Sequence, residues 1–174
     1  MYPTEELSAD ARAEVVALCN AAHETEDFWK LFAVYIPSGG RHFLGRRGRE
    51  LVSHAVVTTR WAQPAGHDPL KTAYVDAVAT LPARQGRGWG TAVMRALGAG
   101  VDDYEIACLQ TDKVGFYDRL GWEVWRGELA GRGDTGLIPT PDQQGVMVLR
   151  LPQTPALDLD GQLSIEAQPD RIWE

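Results

Sequence analysis

Apolar residues recur at helical spacing at Val15, Leu18, Cys19 and Ala22, behind Ser8, which can cap, and Asp10, so the pattern predicts a helix over about 8–23. The stretch HETEDFWKLFAVYIPSGG mixes acids, aromatics and a Pro-Ser-Gly-Gly break, which predicts a short helix near 27–34 followed by a loop. RHFLGRRGRELVSHAVVTTRWA places β-forming apolar residues on both sides of the turn signal RRG and reads as a hairpin. KTAYVDAVATLP is a third strand, ended by Pro82. A glycine-rich segment leads into a helix of about 88–99, a short strand YEIACLQ, a helix KVGFYDRL stopped by Gly121, and a strand WEVWRGEL. Residues 130–145, rich in Gly, Thr and Pro, read as a loop, and VMVLRL as a further strand. Beyond Pro152, Leu157, Leu159, Leu163 and Ile165 alternate with polar residues, so the tail is expected to be an ordered extension with strand character. Strands mixed with helices in this way predict a mixed sheet covered by helices, an α/β or α+β sandwich.

The 174 residues, 44% hydrophobic and 24% charged, suit one globular domain better than two small ones. MYPTEELSAD lacks a cationic and apolar leader and no long apolar run occurs, so a cytoplasmic protein away from membranes is expected. Cys19 and Cys108 stand far apart among apolar neighbours, as buried free thiols do. His23, His42, His54 and His67 lack metal-ligand spacing, so no metal site is expected, and no Gly-x-Ser-x-Gly elbow marks a serine hydrolase. Charge changes the picture only when mapped. Residues 77–101 contain Arg84, Arg87 and Arg95 and no acid, a cationic island in a chain of net charge −7. That distribution argues against nucleic acid as a partner and suggests an anionic ligand at the island and a cationic one elsewhere; acidity that merely keeps the chain soluble is the plainer alternative.

The island reads ARQGRGWGT. Glycines at 86, 88 and 90 free the backbone to turn N–H groups toward one point, and the following helix adds its unpaired N-terminal donors and positive dipole end. Such a geometry binds phosphate, and Arg84 and Arg87 suit a ligand with several phosphates. The P-loop ending is absent, and so is the spacing of the dinucleotide fingerprint. A glycine-rich turn without a ligand remains open, and Trp89 reads as a packing residue.

VATLPARQGRGWGTAVM resembles the acetyl-coenzyme A signature of the GCN5-related N-acetyltransferases, whose Gln/Arg-x-x-Gly-x-Gly/Ala core is matched by Gln85, Gly88 and Gly90, and GFYDRLGW at 115–122 resembles that superfamily's second hallmark. The resemblance covers residues 74–122. It implies one N-acetyltransferase domain over 1–174, a mixed, mostly antiparallel sheet flanked by helices, and a substrate-side extension at about 130–174. Acetyl-CoA would lie against Val78, Thr80, Arg84, Gln85, Gly86, Arg87, Gly88, Trp89, Gly90 and Thr91. A narrower likeness is to aminoglycoside 2′-N-acetyltransferases, which carry GGMH, YVE, LYxxxGW, TPDxxG and a C-terminal Trp where this chain has GGRH (39–42), YVDAVAT (74–80), FYDRLGW, TPDQQG (140–145) and Trp173. That likeness implies drug resistance as the cellular consequence, and the family suggests a homodimer.

Acetyl transfer to an amine needs a proton acceptor, a polarised thioester carbonyl and a proton for the leaving thiolate. Asp76, an acid within an apolar strand, fits the acceptor and equally fits a structural carboxylate. The family usually has Glu there. The family also implies a bulge around Val78 whose N–H binds the thioester oxygen, and a tyrosine acid matched by Tyr117, which otherwise reads as a core aromatic. For a polycationic substrate the acids Asp27, Asp76, Asp142 and Glu174, with Trp173, are the candidates. Here Glu174 follows the terminal-type Trp173 and shifts the terminal carboxylate by one residue. Other readings of the chain are acetylation of a polyamine, a small metabolite amine or a peptide N-terminus, and a non-catalytic acyl-CoA-binding module.

Overall fold

The computed structural model describes residues 1–36, 38–168 and 171–173. The chain forms two compact units, one of residues 1–58 and 75–100 and the other of residues 59–74 and 101–174. Two long strands, β3 (Glu50–Pro64) and β4 (Leu70–Thr80), contribute to both.

In the first unit a two-residue strand β1 (Tyr2–Pro3) pairs antiparallel with β2 (Arg41–Arg47), which pairs antiparallel with β3. The predicted hairpin is there, turning at Gly48, and its register slips between Gly45 and Arg46. Helix α1 (Ala9–His23) starts where the pattern placed it, with the Ser8 hydroxyl accepting the Ala11 N–H at 3.2 Å. Its buried face of Val15, Leu18 and Cys19 packs with Leu31, Ile36, Leu51, Val56 and Ala79. The expected helix near 27–34 is a 3-10 turn (Asp27–Trp29) and a π turn (Leu31–Tyr35). Helix α2 (Trp89–Ala99) buries Val93, Met94 and Leu97. It lies close on β2 because Gly45 has no side chain: a Cβ there would stand 2.9 Å from Val93 Cγ2.

The second unit carries the longer run of sheet. Its strands are β5 (Ile106–Gln110), β6 (Glu123–Val124), β7 (Leu129–Gly133), β8 (Gly136–Pro139), β9 (Val146–Arg150) and β10 (Leu163–Glu166), in the order β6-β9-β5-β4-β3-β10-β7-β8. The β4–β5 and β10–β7 pairs are parallel, and β5–β9, β6–β9, β7–β8 and β10–β3 antiparallel. The short helix α3 (Val114–Asp118) ends before Gly121, whose φ of +86° turns the chain into β6. Tyr74, Ile106, Cys108, Trp125, Val146, Val148, Leu163, Ile165 and Trp173 form this unit's core.

Two expectations change. Residues 130–145 are not a plain loop, since β7 and β8 form a hairpin with Gly131 opposite Ile138. The predicted strand WEVWRGEL is strand only at Glu123–Val124 before β7 begins at Leu129; between them the N–H groups of Arg126 and Gly127 donate to the Leu159 carbonyl. The tail is ordered as expected, but its strand is confined to Leu163–Glu166; Leu157 and Leu159 pack against the core from irregular backbone. Both cysteines are buried and neither is in a disulfide.

Candidate functional site

The end of β4 and the segment after it lie in the first unit. Asp76, Ala77 and Val78 are half-buried, and Ala77 has φ +49°, a left-handed conformation inside a strand. An L-residue there costs about 1–2 kcal/mol, so neighbours must hold it. They do: the Ala77 carbonyl accepts the Nδ1–H of His54 at 2.8 Å, and Cys19 Sγ lies 3.9 Å from the same oxygen. His54 and His42 are fully buried and 2.9 Å apart, Nε2 to Nδ1, and the Thr4 hydroxyl stands 3.0 Å from His42 Nε2. Burial drives the His54 pKa down to about 3, with the His42 ring as second cause, and the His42 pKa down to about 4, with the Arg12 guanidinium as second cause. Both rings are therefore neutral near pH 7. This histidine pair was invisible to a search for metal spacing. The signal that finds it is the hairpin, whose register pairs His42 with Val56 and Leu44 with His54, so the two rings are diagonal neighbours on one face.

Beyond Val78, the Thr80 hydroxyl meets Ser53 Oγ at 2.9 Å, and the Thr80 carbonyl accepts from Gln85 Nε2 at 3.2 Å, which ties the glycine turn to the strand. Gln85, Gly86, Arg87 and Gly88 are exposed. Gly86 and Gly88 have φ of +70° and +81°, and a Cβ at either would meet no atom within 4 Å. Gly88 is the N-cap of α2 with no side chain to cap it, so the first turn, from Trp89 through Gly90 and Thr91, keeps the free N–H groups of any uncapped helix start. An exposed turn, glycine backbone and an uncapped helix start fit an anionic ligand such as a diphosphate. Arg84 differs from expectation: its guanidinium is held by Glu50 at 2.8 Å, whereas Arg87 is exposed.

Asp27 is in the same unit, exposed and ion-paired with Lys30 at 3.0 Å. The remaining candidates belong to the second unit. Tyr117 is buried, edge-on to Phe116 and Trp122, and burial, with Asp112 as the second cause, pushes its pKa up to about 12. Asp142 lines an open cavity of about 570 Å³ with Gln110, Thr140, Gln143 and Gln144. Trp173 is buried, its carbonyl accepts from the Tyr74 hydroxyl, and its indole N–H donates to Thr140 Oγ1 at 3.2 Å. Thr140 and Gln143 line both the Asp142 cavity and an adjoining one that Trp173 lines, so these two candidates are neighbours. Glu174 lies outside the described residues. Among the described residues, no helix is long and apolar enough to cross a membrane.

Residues 4–125 match the family model described as Acetyltransferase (GNAT) domain. The chain is 30% identical over 145 residues to an aminoglycoside 2'-N-acetyltransferase of Mycolicibacterium fortuitum, covering 78% of this chain and 72% of that protein. Its fold is similar to the GNAT family N-acetyltransferase YhbS of Escherichia coli, solved in complex with CoA, with TM-score 0.66 and 16% identity over 95% of this chain and 89% of that one. A GCN5-related N-acetyltransferase from Kribbella flavida superposes with TM-score 0.57 and 21% identity over 71% of this chain, which spans only 33% of that longer protein. The mixed sheet with its flanking helices, the glycine turn leading into α2 and the match over residues 4–125 agree: this chain belongs to the GNAT acetyltransferase family.

Proposed function

We propose that the chain transfers the acetyl group of acetyl-CoA to the 2′-amino group of an aminoglycoside. The observation that carries the cofactor half is the exposed Gln85–Gly88 turn, with positive φ at two glycines, open space in place of their side chains and an uncapped helix behind it. The substrate half is supported by the Mycolicibacterium fortuitum relative and by an acidic chain whose cationic island is confined to the anion seat.

Acetyl-CoA supplies the activated acyl group. The main-chain N–H groups of Gly86 to Thr91 bind its diphosphate, the Gln85 N–H being taken by the Pro82 carbonyl, with Arg87 as the mobile cation and Arg84 as a fixed one. The Val78 N–H, next to the left-handed Ala77 near the end of β4, receives the thioester oxygen as negative charge develops on it. A carboxylate oxygen of Asp76 takes the proton of the substrate ammonium, directly or through a water, so that the free amine forms the new N–C bond while the C–S bond breaks, and the second proton that nitrogen gives up as the amide forms ends on the thiolate, which leaves as the thiol of CoA. The Tyr117 hydroxyl donates to the departing sulfur. Asp142, near Trp173, and Asp27 recognise the remaining cationic groups of the substrate.

The test is thiol release from acetyl-CoA against paired aminoglycosides that differ in a 2′-amino or 2′-hydroxyl group, with mass spectrometry locating the acetyl group. Turnover confined to the 2′-amino members is expected. Equal turnover of both members of a pair, or an acetyl group elsewhere, refutes the regiochemistry.

A further inference from the structure

Asp76 and Val78 flank Ala77, so the directions of the carboxylate and the N–H both depend on one left-handed alanine. The only charge-neutral proton arrangement that satisfies its anchor runs one way. A carbonyl cannot donate, so His54 Nδ1 carries the hydrogen bonded to Ala77 O, and a neutral His54 then accepts at Nε2. His42 must donate to it from Nδ1, which leaves its Nε2 as an acceptor 3.0 Å from the Thr4 hydroxyl, whose one hydrogen has the Gly40 carbonyl at 3.2 Å as its other acceptor. That hydroxyl accepts in turn from the Gly40 N–H at 3.1 Å. All three side chains are fully buried, so each bond is shielded from competing water.

We propose that His54, backed by His42 and Thr4, is a positioning residue for acetyl transfer: its Nδ1–H holds Ala77 in the left-handed conformation that aims the Asp76 carboxylate and the Val78 N–H. The inference rests on the roles proposed above for Asp76 and Val78. It assigns no contact between either histidine and a substrate. The coenzyme seat is tied down separately, by Gln85 on Thr80 and by α2, so loss of the anchor reaches the transfer step and spares coenzyme binding.

Two substitutions of similar shape separate positioning from packing. In His54→Asn the side-chain amide can stand at the Nδ1 position and still donate to Ala77, whereas in His54→Gln it reaches toward the Nε2 position and leaves that carbonyl only the weak Cys19 thiol donor at 3.9 Å. The full chain is assayed by thiol release, CoA binding by calorimetry, and the Val78 amide resonance by NMR. The Gln and Ala variants are expected to lose kcat by about ten-fold or more, with the CoA Kd and the acetyl-CoA KM within about two-fold of the parent, while Asn keeps most of kcat. Adding Ala77→Gly to His54→Ala restores part of kcat, because glycine takes positive φ unaided. Equal kcat in the Asn and Gln variants, or no recovery with Ala77→Gly, overturns the inference. A Val78 resonance unmoved in His54→Gln overturns it alone, whereas full kcat in Asp76→Ala overturns the reading on which it rests.

Discussion

Replacing Tyr117 by Phe removes one oxygen from a buried ring and leaves its edge-on contacts with Phe116 and Trp122 in place. The size of the effect distinguishes two roles for that oxygen. With its pKa raised from 10.0 to about 12, the hydroxyl stays protonated at neutral and mildly alkaline pH. The same shift makes it a poor acid: giving its proton outright to a thiolate whose thiol has a pKa of about 8.5 runs uphill by roughly 3–4 pKa units, or ~5 kcal/mol. In the proposed reaction Tyr117 would therefore donate a hydrogen bond to sulfur as charge accumulates, which is worth about 1.5–3 kcal/mol when the acceptor is charged, or about 10- to 150-fold in rate.

Single-turnover and steady-state thiol release for the parent and Tyr117→Phe, from pH 6 to about pH 9.5, measure this. The expected loss of kcat is within that range and constant across it, with CoA affinity unchanged. A loss beyond about 10³-fold, together with an alkaline limb in the parent near the ordinary tyrosine value of about 10, would show full proton transfer from a normally acidic phenol and refute the argument from burial. Retention of kcat within about two-fold would remove Tyr117 from the chemistry altogether.

The buried histidines predict acid lability. Their folded pKa values, about 4 and about 3, lie below the unfolded value of 6.5, so their stabilisation is complete above pH 6.5 and is lost as the pH falls toward 4, His42 alone accounting for about 3 kcal/mol. Melting curves should show Tm falling from pH 6.5 to 5 with an uptake near two protons; a flat Tm over that interval refutes it. Gly88→Ala forces a side chain to φ +81° with no steric clash, so it should cost about 1–2 kcal/mol of stability and weaken CoA binding by about ten-fold or more in calorimetry, and parental CoA affinity would argue against the seat. Gly127→Ala should be far worse than Gly86→Ala by chemical denaturation, since its Cβ would stand 1.8 Å from the Gly161 carbonyl oxygen while that of Gly86 meets nothing; comparable losses would contradict the packing of the extension.

What the sequence shows and conceals follows from the range of the forces involved. The Ser8 cap, the amphipathic α1, the Gly48 turn and the Gly86–Gly88 seat are local, written in residues a few places apart, and the chain displays them directly. The β7–β8 hairpin left no such trace. Its strands are pinned by polar links, Arg132 donating to the carbonyls of Trp61 and Ser164, and Leu137 and Ile138 remain exposed, so no alternation of buried and polar positions marks it. Arg84 looked free because its own neighbourhood holds no acid, yet the fold brings Glu50 to it from 34 positions away.

The histidines carry the lesson furthest. Two imidazoles 12 residues apart have no motif spacing, and each alone reads as an ordinary core histidine. Paired strands turn them into a single proton-ordered chain, because burial forbids charge on either ring and neutrality leaves each nitrogen only one role. The strain at Ala77 is then explained without appeal to function: a costly backbone angle persists where a buried donor would otherwise go unsatisfied, and the cost of orphaning that donor, about 1–3 kcal/mol, is of the same size as the cost of the angle. With two opposing terms so nearly equal, the conformation of Ala77 is balanced, and on the proposed positioning role the His54 hydrogen bond, with the weak Cys19 contact beside it, would decide which way Asp76 and Val78 face.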